Sequence, residues 1–144
     1  MNFQISKMNV ADIDEIYRLG TSQKEFASAS GIFWSKEQLK KWCQSPSDVL
    51  LIAKTSNEIV GFSFYSAHIP TRKVTWENLY VTPSARGLGV AAKLTEEGLK
   101  EIKDLGYTYI MLCVNADDQE LFAKFVERYG FKRGGTVLWV DKII

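Results

Sequence analysis

Clustered charge of one sign is missing from this chain. Its 18 basic and 17 acidic residues leave a formal net charge of +1 and are spread along all 144 positions. Nucleic-acid binding needs Lys and Arg gathered into a footprint for phosphates, so no nucleic acid partner is expected, although backbone amides can still hold a small anion. Cysteine is scarce as well: Cys43 and Cys113 stand alone, without metal-like spacing or a Cys/His cluster. No metal is expected, and both read as reduced, buried thiols. No apolar run is long enough to cross a bilayer, and no secretory leader is visible. The expectations are therefore no membrane association and a cytoplasmic location. Repeats, low-complexity tracts and linkers are missing too. What remains is core-forming material: 46% of residues are hydrophobic, enough for a single domain over 1–144.

Periodicity orders the elements. FQIS (Phe3 to Ser6) reads as a strand. Asn9 with Asp12 forms a capping-box-like pair ahead of Ile13, Ile16, Tyr17 and Leu19 at helical spacing, and Gly20 fits the stop. Ser35 opens a second helix, with Gln38 at the box position and Leu39, Trp42 and Cys43 on one face. DVLLIAKT, IVGFSFYSA and KVTWENLYV read as three hairpin-connected strands. A long amphipathic helix follows, marked by Ala91, Leu94, Ile102 and Leu105. YTYIMLCV reads as a buried strand, Asp117 or Asp118 opens a last helix ending at Gly130, and FKRGGTVLWVDKI supplies one or two final strands. The fold class is α/β with a mixed sheet, and the crossing from Lys73 to Val114 brings a parallel neighbour.

The informative stretch is NLYVTPSARGLGVAAKL (Asn78 to Leu94), where a strand turns through two glycines into a helix. The first amides of a helix have no partner inside it, the dipole there favours negative charge, and glycine admits a ligand close to the backbone. Arg86, Gly87, Leu88, Gly89, Val90 and Ala91 thus offer amides more than side chains, as a pyrophosphate cradle does. A Walker loop is excluded because no Lys-Ser/Thr pair follows, and the dinucleotide fingerprint because the third glycine is missing. A tight strand–helix turn with glycine packing is the alternative.

These residues resemble the GCN5-related N-acetyltransferase (GNAT) superfamily: ARGLGVA fits its Arg/Gln-x-x-Gly-x-Gly/Ala signature, LYVTP is similar to the strand entering it, IVGFSFY to its "ivGf" strand, and ERYGF to its helix-to-"GF" junction. The resemblance implies a central mixed sheet of six to seven strands flanked by four helices and splayed where acetyl-CoA binds. It implies backbone pairing of Leu79, Tyr80 and Val81 with the pantetheine arm, the pyrophosphate on Arg86 to Ala91, and direct attack of an amine on the thioester carbonyl. Glu77 is the candidate general base, with a solvent-facing glutamate as the alternative; its spacing places it on one strand face with Leu79 and Val81.

The family's usual acid, a tyrosine, corresponds to Val126, which has no proton to give. Tyr129 is the weak substitute, with Tyr80 and Cys113 further candidates. The family's asparagine corresponds to Gln119, with Asn115 a second candidate, and its small residue between them to Phe122. The resemblance also locates the acceptor end at the first two helices and the central hairpin, where Phe26, Phe33, Trp34, Tyr65, His68 and Trp76 lie. The expected acceptor is an amine of a small molecule or a protein. Members often pair through terminal strands, and TVLWVDKII would offer an edge for a homodimer. Val126 and Phe122 leave open a non-catalytic acyl-CoA-binding domain of the same fold.

Overall fold

Two runs of apolar, β-branched and aromatic residues, VLLIAK and IVGFSFYSAH, are buried along nearly their whole length because both faces of the sheet are covered there. They form β2 (Val49–Lys54) and β3 (Ile59–His68), flanked by β1 (Gln4–Lys7), β4 (Lys73–Val81) and β5 (Tyr109–Met111). The computed structural model describes residues 2–115, 119–135, 138 and 140–144. By internal contacts the chain has two compact units, one running to Met111 and one from Leu112.

In the first unit the sheet order is β1-β2-β3-β4-β5. The first four strands are antiparallel, and β5 runs parallel to β4. Helices α1 (Ile13–Thr21) and α2 (Lys36–Cys43) bury Ile13, Ile16, Leu19 and Leu39 with Phe62 and Phe64 on one sheet face. Helix α3 (Val90–Asp104) covers the other face with Val90, Leu94, Gly98 and Ile102, one residue every four.

The expected caps form. Asn9 Oδ1 accepts from the Ala11 amide (2.8 Å), and Asp12 Oδ2 accepts from the Asn9 amide (3.0 Å). Ser35 Oγ accepts from the Gln38 amide (3.1 Å). Gly20 does not stop α1, which continues to Thr21. Its missing Cβ instead makes room for the Trp34 ring, so it serves packing rather than termination. Gly98 does the same for Tyr65, whose ring fills the place of a Cβ and stacks on Trp76 at 5.2 Å.

Five strands are described rather than six or seven. The expected YTYIMLCV strand shortens to Tyr109–Met111, at the sheet margin rather than buried on both faces, and Tyr109 is exposed. Cys113 therefore lies outside the strand and is exposed, while Cys43 is half-buried; neither is the fully buried thiol expected. Leu105, expected on the apolar face of α3, caps the helix and is also exposed. The second unit contains α4 (Glu120–Glu127). Asp117 and Asp118, expected to open that helix, lie outside the described residues, as do Thr136, Val137 and Trp139 of the expected last strand. The described residues after Tyr129 carry no strand. None of the described helices is long and apolar enough to cross a membrane.

Among the described residues the buried Tyr65 hydroxyl makes no hydrogen bond of good geometry; burial pushes its ionisation well above the ordinary phenol range, offset only in part by the nearby Ser63. An orphaned buried hydroxyl costs stability. Tyr65→Phe should therefore leave urea stability unchanged or raise it by about 1 kcal/mol. Gly98→Ala, which drives a methyl into that ring, should lower it by roughly 1–3 kcal/mol.

Candidate active site

The hairpin of β3 and β4 is not regular. Phe64 pairs with Asn78 and Tyr65 with Trp76, so Glu77 is an extra residue in a β-bulge. One extra residue reverses the side-chain alternation on either side of it. Trp76 joins Tyr65 on the α3 face, where its Nε1 donates to Ser63 Oγ at 2.8 Å. Leu79 and Val81, opposite Ser63 and Gly61, share that face; a Cβ on Gly61 would press on Val90 and Leu94 of α3. Asn78 and Tyr80, opposite Phe64 and Phe62, turn toward α1 and α2. Glu77 goes with them: its Oε1 accepts from Ser66 Oγ at 2.8 Å. It does not share a face with Leu79 and Val81, because the alternation that placed it there is interrupted at that very residue.

Glu77 and Asn78 border an open cleft of about 520 Å³ whose other lining residues come from the segment from Phe26 to Trp42. Phe26, Phe33 and Trp34, three of the aromatics the resemblance assigned to the acceptor end, line it. Tyr65 and Trp76 do not, being buried on the opposite sheet face. His68 lies at the exposed end of β3, with Nδ1 2.8 Å from Thr71 Oγ1. Sequence reasoning missed Trp42, Gln38 and Asn78 as lining residues. Trp42 read as helix core and Gln38 as a cap partner; Asn78 was hidden by the uninterrupted alternation assumed for β4.

β4 is paired with β3 along its length, whereas its pairing with β5 covers only Lys73–Thr75. Beyond Thr75, among the described residues, the second edge of β4 carries no strand, and Leu79, Tyr80 and Val81 present main chain there. The Tyr80 ring packs on Phe62 (5.4 Å) and Phe26 (6.2 Å). After Val81 the chain turns through Pro83–Ala85 and enters α3 at Gly89, which caps without a side chain. The Arg86 and Leu88 amides close long turn bonds of 3.4 Å to Pro83 and Ala85. Those of Gly87, Gly89, Val90 and Ala91 close none among the described residues. Gly87 and Gly89 have φ of 77° and 83°, and a Cβ on either would point into open space. Left-handed backbone, rather than crowding, is what demands glycine here, and the open amides suit a pyrophosphate. Arg86 Nε donates to the Val81 carbonyl (3.2 Å), tying the turn to the strand end.

In the second unit, Asn115 and Gln119 bond each other. The Asn115 amide donates to Gln119 Oε1 (2.8 Å), and the Gln119 amide donates to the Asn115 carbonyl (3.0 Å). Gln119 is the N-cap of α4. Val126 is buried. The Tyr129 ring follows α4 and packs on Phe125 at 5.3 Å. Arg133 ties Glu120 to Glu127 (2.8 and 2.5 Å), and its guanidinium holds the Glu120 carboxyl below its ordinary range.

Gly87→Ala and Gly89→Ala force an L side chain into left-handed backbone. Each should lower urea stability by about 1 kcal/mol, with no new steric contact to blame.

A family model described as the Acetyltransferase (GNAT) family matches residues 13–131. The mycothiol acetyltransferase of Paenarthrobacter aurescens (strain TC1) is 33% identical over 96 residues, which is 63% of this chain and 29% of that protein. The chain thus spans less than a third of that relative's length. Among solved structures, the PaiA N-acetyltransferase of Thermoplasma acidophilum, in complex with coenzyme A, superposes with a TM-score of 0.77 at 21% identity, over 95% of this chain and 94% of that one. The ribosomal-protein-S18-alanine N-acetyltransferase of Escherichia coli does so with 0.71 at 19% identity, over 93% and 80%. At such identities the likeness is one of fold, α/β around a mixed sheet. The family match runs through both compact units, and on it the chain belongs to the acetyltransferase (GNAT) family.

Proposed function

We propose that this chain is an N-acetyltransferase acting as one domain over 1–144, with acetyl-CoA as donor and a primary amine, of a small molecule or a protein, as acceptor. The observation that carries the reading is the bulge, which turns the Glu77 carboxylate away from Leu79 and Val81 and onto the rim of the aromatic cavity. Donor and acceptor then meet at one strand from different sides. Main chain of Leu79 to Val81 guides the pantetheine arm, and the amides of Gly87, Gly89, Val90 and Ala91 receive the pyrophosphate. The coenzyme A bound in the Thermoplasma structure supports the donor.

In the reaction the amine nitrogen bonds the thioester carbonyl carbon and the C–S bond breaks. The amine arrives mostly as an ammonium, and Glu77 takes its proton directly or through one water. Ser66 holds one carboxylate oxygen in place, leaving the other for the amine. The thiolate needs little help, since a thiol ionises near pH ~8.5. Val126 can therefore replace a tyrosine without stopping the chemistry, and Tyr129 is at most an auxiliary acid.

The apolar, buried Val126 also favours a second reading, a domain that binds acyl-CoA and transfers nothing. Acetyl-CoA at a hundred times its Kd should stabilise the protein by about 2.7 kcal/mol under either reading. Only the enzyme releases CoA when amines are added. Glu77→Gln should lower kcat/KM by roughly a hundredfold at neutral pH and recover at alkaline pH, where the amine is already neutral. Equal activity across pH would remove Glu77 as the base, and binding without turnover of any amine would establish the second reading.

A further inference from the structure

We infer that the acceptor is a small primary monoamine with a flat apolar body, an arylalkylamine in chemical class, rather than a polyamine, an aminoglycoside or a peptide N-terminus. This rests on the acetyltransferase reading above and names the substrate of the same site.

The cavity of about 520 Å³ is of small-molecule size. Phe26, Phe33, Trp34 and Trp42 are its aromatic lining. Trp34, Trp42 and Phe26 are held in place by other rings. Trp34 lies 5.6 Å from Phe64 and 5.8 Å from Phe26, and Trp42 lies 5.4 Å from Phe64. Gly20 leaves the space that Trp34 occupies, so the apolar wall is built before any ligand arrives. Glu77 of β4 is the one charged side chain lining the cleft among the described residues; Asn78 stands beside it, and Gln38 of α2 with Ser28 and Ser35 supplies neutral polar groups.

One carboxylate matches one ammonium. A polyamine or aminoglycoside would bring further ammonium groups against ring faces, where an unpaired charge is costly. A peptide would bring successive main-chain donors and acceptors that rings do not satisfy. An aryl or similarly flat body fills the space between the rings by offset or edge-to-face packing and delivers its single amine toward Glu77.

The test is CoA release by the wild-type chain with saturating acetyl-CoA and 2-phenylethylamine, tryptamine, spermidine, kanamycin or an alanine-led tripeptide. Either arylalkylamine should exceed the other three in kcat/KM by at least about tenfold. Phe33→Ala should raise the arylalkylamine KM by about tenfold and leave the acetyl-CoA KM unchanged. Ile32→Glu, at a position 68% exposed where folding is not at risk, adds a carboxylate to the rim and should shift preference toward spermidine. A wild-type preference for spermidine, kanamycin or the peptide, with acetyl-CoA still stabilising the protein, overturns this inference and leaves the enzyme reading standing. If acetyl-CoA neither binds nor reacts, the enzyme reading fails by itself. Quenching of tryptophan fluorescence by 2-phenylethylamine then decides the pocket: saturable quenching lost in Phe33→Ala upholds it, and absence of quenching overturns it.

Discussion

Between the pairs Phe64–Asn78 and Tyr65–Trp76, β4 carries one residue more than β3. Without that bulge, Trp76, Asn78 and Tyr80 would share one face of the sheet. With it, Trp76 is driven under α3 against Tyr65, while Asn78 and Tyr80 pack toward α1 and α2. The hydrogen bond from Ser66 holds the bulged residue, whose solvent-exposed carboxylate stands at the border of the aromatic cleft. A bulge is the usual way to re-aim a side chain from a strand that must otherwise stay straight.

The consequence is a division of labour between main chain and side chain. On one side, glycines at positive φ and an uncapped helix start leave amides exposed, and the edge of β4 beyond Thr75 presents backbone. Such groups recognise a ligand by geometry and charge, and they tolerate changes in nearby side chains. On the other side, four aromatic residues, the Glu77 carboxylate and the polar Ser28, Ser35, Gln38 and Asn78 are among the residues that line the cleft, and under the proposed reading their side chains would do the recognising. Under the proposed reading the donor end is therefore generic and the acceptor end particular to this chain.

That asymmetry also decides what could be read from the sequence. Gly87 and Gly89 were legible because left-handed backbone leaves little choice but glycine, and the pairs Asn9/Asp12 and Ser35/Gln38 were legible because caps need specific atoms at fixed spacing. Gly20 misled, since the same residue also serves where a neighbouring ring needs room. Glu77 was found, yet on the wrong face. Period-two reasoning assumes an unbroken ladder, and a bulge without glycine leaves no mark in the residue pattern. Two of the expected acceptor aromatics, Tyr65 and Trp76, fell on the far face: the sequence places them near the hairpin, but only the register says which way they point. The short β5 was overestimated because an apolar run reads alike whether it is paired at three positions or eight.

The central claim is that the main chain, from Leu79 to Val81 and from Gly87 to Ala91, holds the donor, while the aromatic cavity holds only the acceptor. Amide-resolved hydrogen exchange with and without coenzyme A tests it most directly. The account predicts slowed exchange at Gly87, Gly89, Val90 and Ala91 and along Leu79 to Val81, with the amides of Phe33 to Gln38 unchanged. Protection confined to Phe33 to Gln38, with none at the glycine turn, would contradict it.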